Sequence, residues 1–162
     1  MRFLFVISTF LTSFLLFSSC QKPSNASPIP IISFNSFQST GANSGILRIN
    51  FTDGDGDIGY PSQDPSAQPD LWVTFLYYDY ASQKFISTDV NFMYNVPYLT
   101  PSGKDKSVSG IIETAMSPYY DKLYFSTLDS LHLEFQIYLL DRAGHKSNVI
   151  TSREINPGTP NP

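Results

Sequence analysis

Nine consecutive residues, Phe51-Thr52-Asp53-Gly54-Asp55-Gly56-Asp57-Ile58-Gly59, place three aspartates at alternate positions with glycines between them. Carboxylates this close raise the free energy of one another's ionised form. A bound hard cation removes that penalty, and Ca²⁺ takes roughly six to eight oxygen ligands from flexible loops. Glycine reaches positive φ without steric cost, so the loop can curl and turn its carbonyls inward. The chemistry expected is calcium coordination. Two other readings fit the same residues: a metal-free turn whose aspartates cap local N–H groups, and a loop whose acids contact a ligand or partner. Mg²⁺ suits the loop less well, because it demands near-ideal octahedral geometry and keeps its waters. An EF-hand is excluded. Asp53, Asp55, Asp57 and Asp64 match its first, third, fifth and last positions, but Ile58 stands where its glycine must be and no helical pattern flanks the loop.

Strands must hold such a loop. Residues 46–51 alternate, with Leu47, Ile49 and Phe51 on one face and Arg48 and Asn50 on the other, which predicts a half-buried strand. Asp53 continues the inward phase. Residues 131–140 alternate more cleanly: Leu131, Leu133, Phe135, Ile137 and Leu139 inward, His132, Glu134, Gln136 and Tyr138 outward, with Asp141 next in the inward phase. Residues 71–80 are apolar on both faces and read as a central strand. With further strands over 31–38, 84–90, 107–115 and 149–155, the fold class is all-β, an immunoglobulin-like antiparallel β-sandwich of about seven strands. In that topology the loop after the second strand and the turn after the sixth share one end. Asp141 is therefore predicted beside Asp53, Asp55 and Asp57. Asp70, at the mouth of the third strand, is expected to complete the metal set, and Ile58 to plug the core beneath it. Residues 53–70 carry five of the fourteen acids and no Lys or Arg. A loop of that length is usually functional or disordered. Residues 91–106 are expected to be irregular. No helical period and no internal repeat appears.

The N-terminus reads as export. Arg2 precedes an apolar run from Phe3 to Phe17, about the length of a signal core and short of the roughly 20 residues that span a bilayer. Phe17-Ser18-Ser19-Cys20 resembles the lipobox of bacterial lipoprotein precursors, whose cysteine is acylated and becomes the new N-terminus. The resemblance implies a signal peptide at 1–19 and lipidation of Cys20. Phe17 departs mildly from the leucine usual there. Cys20 is the only cysteine, so no intrachain disulfide staples the domain, and several acyl chains on one residue give stable anchoring. Residues 20–30 form the lipidated cysteine and a Pro/Ser-rich tether, 31–155 the sandwich, and 156–162 a disordered tail. Ten Lys and Arg against fourteen Asp and Glu give −4; without Arg2 the mature chain carries −5. No basic patch appears, which argues against nucleic acid as a partner.

The Asp-Gly-Asp-Gly-Asp-Ile-Gly segment and the later Asp141-Arg142-Ala143-Gly144-His145-Lys146-Ser147-Asn148 together resemble small Bacteroidetes-type lipoproteins with an immunoglobulin- or cadherin-like domain. The resemblance spans about residues 45–155 and implies a cell-envelope domain anchored to the outer membrane, without a known activity. Catalytic signatures are missing: no zinc helix, no Gly-x-Ser-x-Gly elbow and no phosphate-cradling loop occurs. His132 and His145 read as solvated surface residues. The expectation is a binding or structural module rather than an enzyme, membrane-attached through its lipid, with an unidentified protein or glycan partner. The glycan alternative rests on Trp72, Tyr77, Tyr78, Tyr80, Tyr94, Tyr98, Tyr119, Tyr120 and Tyr124, since sugars stack on exposed aromatic faces; the competing view packs most of them internally. No acidic cluster follows Cys20, which tilts the location to the periplasmic face.

Overall fold

Among the described residues, seven strands follow one another: β1 Ile31–Gly41, β2 Ser44–Asp53, β3 Leu71–Asp79, β4 Lys84–Tyr94, β5 Val108–Met116, β6 Leu133–Leu139 and β7 Ile150–Thr151. The computed structural model describes residues 26–41, 44–61, 64, 67–117 and 132–155. The expected signal peptide, Cys20, the tether through Asn25, Tyr119, Tyr120, Tyr124, Leu131 and the tail lie outside them. No helix occurs among the described residues. The strands pair antiparallel into two sheets, ordered β1-β2-β5 and β4-β3-β6-β7. This is the all-β sandwich that the alternation predicts.

Side chains alternate across a strand with period two, and the inward sets of the two sheets meet. Leu47, Ile49, Phe51 and Ile112 come from one sheet, and Val73, Phe75, Leu133, Phe135, Ile137 and Leu139 from the other; all are buried. Phe37 sets its ring edge-on against Phe135 at 5.4 Å. Each such side chain contributes about 1.5–3 kcal/mol through removal from water. β3 lies between β4 and β6, which is why its outer face also carries Trp72, Leu76 and Tyr78: they are half-covered by cross-strand neighbours.

Several strand ends differ from expectation. β1 and β2 pair as far as Gly41 and Ser44, past the expected ends at 38 and 46. β4 runs on through Tyr94 because a register shift opposite Thr74–Leu76 absorbs two extra residues, and Thr88 Oγ1 donates to the Phe75 carbonyl there at 2.9 Å. The last strand shrinks to Ile150–Thr151. Buried serines hold the flanking segments to β6 instead. Ser147 Oγ accepts from Leu139 N and Ser152 Oγ from Phe135 N, each at 2.9 Å, while Ser147 N and Ser152 N donate back to the same two residues.

Candidate metal centre

Two strands that end at the same edge of the sandwich deliver the carboxylates. The inward phase of β2 passes from Phe51 to Asp53, 2% exposed, and that of β6 from Leu139 to Asp141, 1% exposed. β2 and β6 belong to facing sheets, so these inward positions face each other across the top of the core. Ile58 is fully buried just below. One carboxylate oxygen from each of Asp53, Asp55, Asp57 and Asp141 lies within 4.8 Å of the others. Asp55 is exposed and Asp57 half-buried.

Hydrogen bonds fix the loops and leave specific oxygens over. Asp57 N donates to Asp53 Oδ2 at 3.0 Å, curling the loop onto its own first aspartate. Ala143 N donates to Asp57 Oδ2 at 3.0 Å, and Arg142 N to the Asp57 carbonyl at 3.1 Å. The β6–β7 turn thus grips the middle of the β2–β3 loop across more than eighty residues of chain. Asp53 Oδ1 and Asp57 Oδ1 remain buried with no donor. Burial, reinforced by Asp55, Asp57 and Asp141, pushes the Asp53 carboxyl up to about 6, although the bond from Asp57 N opposes it. Burial and then Asp141 and Asp55 raise Asp57 as well, against the Ala143 N–H and Arg142. A buried carboxylate without donors is costly in its ionised form.

Two basic residues enter the site unannounced by the sequence reading. His145, expected to be solvated, is bound to Asp141 twice: its backbone N donates to Oδ1 at 2.7 Å and its Nδ1 lies 2.8 Å from Oδ2. That bond and the Asp141 charge raise its pKa, with smaller contributions from Asp55 and Asp57. The turn Asp141–His145 is short enough for the ring to fold back onto the carboxylate. His132, the other histidine expected to be solvated, pairs with Glu154 on the outer face. Arg142 reaches in the opposite direction. Its Nη1 donates to the carbonyls of Ile58 (2.8 Å), Gly59 (2.5 Å) and Leu99 (3.2 Å), and the guanidinium lies 4.7 Å from the centre of the Tyr98 ring. One side chain therefore ties the β2–β3 loop, the β4–β5 loop and the β6–β7 turn together. The only available clue was its position: the cation after Asp141 faces a long acidic loop that has none of its own.

The β4–β5 loop, expected to be irregular, is the third wall. Leu99 N donates to the Ile58 carbonyl at 3.0 Å. Gly56 and Gly59 have φ of +66° and +74°, and a Cβ on either would sit 2.2 Å from the Lys106 carbonyl oxygen or 2.4 Å from that of Pro97. Only glycine allows this approach.

Asp70, the fifth predicted ligand, is not among the four carboxylates that meet. It is buried, but its Oδ2 accepts from Val96 N at 3.0 Å, and its backbone bonds Tyr94 and Leu140. One residue before β3, its side chain turns to the exit of β4, where it fixes the start of the third wall. Its Oδ1 has no donor, and burial raises its pKa against the Val96 bond and Arg142.

Fold and site together define a β-sandwich domain with a four-carboxylate cluster, able to hold a metal ion, between the loops at one end. The chain matches no protein-family model, and neither the curated proteins nor the solved structures contain a match.

Proposed function

We propose that this chain is a cell-envelope lipoprotein whose immunoglobulin-like sandwich is closed at one end by Ca²⁺, acting as a binding or structural module. One observation carries the metal: Asp53 Oδ1 and Asp57 Oδ1 are buried without donors inside a group of four carboxylates. In each residue the other oxygen is committed to holding the loop, so the free one is available to a ligand without dismantling the turn. Oxygens no more than 4.8 Å apart suit a calcium shell, whose opposite ligands are about 4.6–5.2 Å apart at Ca–O distances of about 2.3–2.6 Å. A carboxylate oxygen has two lone pairs, so Asp141 can keep its bond from His145 N and still coordinate. The ion ties the β2–β3 loop to the β6–β7 turn and stiffens that end for contact with a partner. The envelope location and lipid anchor rest on the signal-like N-terminus and Cys20.

Every core residue among those described lies between Pro30 and Ile155, so the chain from Gln21 onward keeps its whole core. Its melting temperature is the test. A ligand that binds only the native state stabilises it by about 2.7 kcal/mol at a hundredfold excess over Kd. Calcium should raise the melting temperature, and chelator should reverse it. The rise should vanish in Asp53→Asn and Asp141→Asn and persist in Asp70→Asn. No shift at millimolar calcium in a folded protein would leave a metal-free turn or a partner surface.

The glycan alternative draws on the outer face of the four-stranded sheet, but its rings are largely engaged. Trp72 and Tyr138 stack at 5.8 Å, Lys146 Nζ covers Tyr138 at 3.8 Å, and Tyr78 packs edge-on to Tyr80 and Phe85. Faces occupied by neighbours are poor platforms for a sugar, so the metal-closed module is preferred.

A further inference from the structure

The chain enters the sandwich at the same end as the carboxylates. β1 begins at Ile31 opposite Thr52, next to Asp53. Just upstream the backbone crosses the aspartate loop: a Cβ on Gly54 would sit 2.3 Å from the Ser27 carbonyl oxygen and 2.6 Å from that of Ala26. An open cleft of about 370 Å³ lies between this crossing segment and the loop, lined by Ala26, Ser27, Ile29, Asp53 and Gly54 among others. Ala26 comes six positions after Cys20, a span of at most about 20 Å. β3, at about 3.3 Å per residue, makes the sandwich roughly 30 Å long. An acylated Cys20 therefore keeps the point of chain entry, at the aspartate end, within about 20 Å of the bilayer, a limit that does not apply to the opposite end.

Surface chemistry at this end suits that placement once a cation is present. Ile29 and Tyr98 are each 48% exposed there, and an aromatic ring with a polar tip fits the headgroup layer. Without a cation, four carboxylates would be repelled by anionic headgroups. Ca²⁺ halves that charge, from −4 to −2 across the four carboxylates, and itself offers a centre that takes phosphate oxygens. Four carboxylates, three of them already accepting a backbone N–H at one oxygen, leave part of a shell of about six to eight oxygens to outside ligands. Asp55, the exposed member, marks the open side.

We propose that Ca²⁺ held by Asp53, Asp55, Asp57 and Asp141 is shared with phosphate oxygens of phospholipid headgroups, docking the aspartate end on the membrane that carries the tether. This rests on the calcium reading above and on acylation of Cys20.

The chain from Cys20 onward carries one cysteine and one tryptophan, which allows a direct test. Cys20 is coupled to maleimide lipid in vesicles, and energy transfer from Trp72 to a trace of dansyl-headgroup lipid is followed through a calcium titration. One vesicle set is phosphatidylcholine and the other digalactosyl diacylglycerol, which has no phosphate. Transfer should rise with calcium on phosphatidylcholine, with a calcium midpoint about tenfold lower than on galactolipid, because coupled ligands raise each other's affinity. Asp55→Asn should lose the rise. Equal midpoints on both lipids, or transfer that ignores calcium while calcium still raises the melting temperature, overturn the headgroup contact and leave the metal site standing. No calcium effect on either readout removes both.

Discussion

The two ends of this sandwich are held by different kinds of contact. At the hairpin end the stabilising bonds are local. Asp79 accepts from Ser82 N at 2.9 Å and from Ala81 N at 3.4 Å, and Gln83 takes φ of +56° to finish the β3–β4 turn. At the aspartate end, bonds such as Ala143 to Asp57 and Arg142 to Ile58 join segments more than eighty residues apart. The local end can form as soon as its hairpin forms. The other end exists only when three loops from two sheets have arrived, since loop closure must precede contacts of long sequence separation. It also concentrates unpaired buried charge, which the hairpin end does not need. A domain can thus have one end set by turn chemistry and another whose stability depends on what binds there.

Breaking the shared tie should give the largest effect. Arg142→Ala removes the donor to three loop carbonyls, and we expect a loss of about 3 kcal/mol in urea unfolding, the scale for charged donors whose partners are left buried. Arg142→Lys should recover only part, because an ammonium cannot span the same fork. Full stability in Arg142→Ala would mean that the loops do not depend on one another.

The pH dependence comes next and separates the ends by charge. The Asp53 carboxyl is raised from its ordinary 3.8 to about 6, so the native state binds the extra proton between these values. Metal-free stability should then fall as pH rises from about 4 through about 6, the sign for a native state that holds more protons than the unfolded chain. His145, also raised, acts in the same direction: its contribution is present below its unfolded value and is lost as pH rises through the folded one. Saturating calcium should flatten or reverse the trend, because the ion favours the ionised carboxylates. Urea midpoints across this range, with calcium and with chelator, check it. A metal-free protein that becomes more stable from pH 4 to pH 6 would contradict the buried, unpaired state of Asp53.

The smallest effect should be at the hairpin end. Asp79→Ala removes a turn cap and should lower the urea midpoint only slightly, well short of the Arg142→Ala effect, as the loss of an exposed local side-chain to backbone bond does. The loss should be the same with calcium and with chelator. A calcium-dependent penalty would show that the two ends communicate through the sheets.

By itself the sequence determined the sheet-forming segments and the phase of their side chains. Period-two alternation is local, and the same rule that buries Leu47 and Leu139 also turns Asp53 and Asp141 inward. That is why four of the five predicted carboxylates could be assembled from strand order alone. Strand ends were less legible. The bulge in β4 and the serines that flank the short β7 depend on which backbone groups lie opposite, and that is a property of the partner strand. Tertiary structure alone decided that Asp70 serves Val96 rather than the cluster. It also decided that His145 folds onto Asp141 and that Arg142 spans three loops. The direction of a side chain at a strand end is set by the donors around it, and here they come from segments far along the chain.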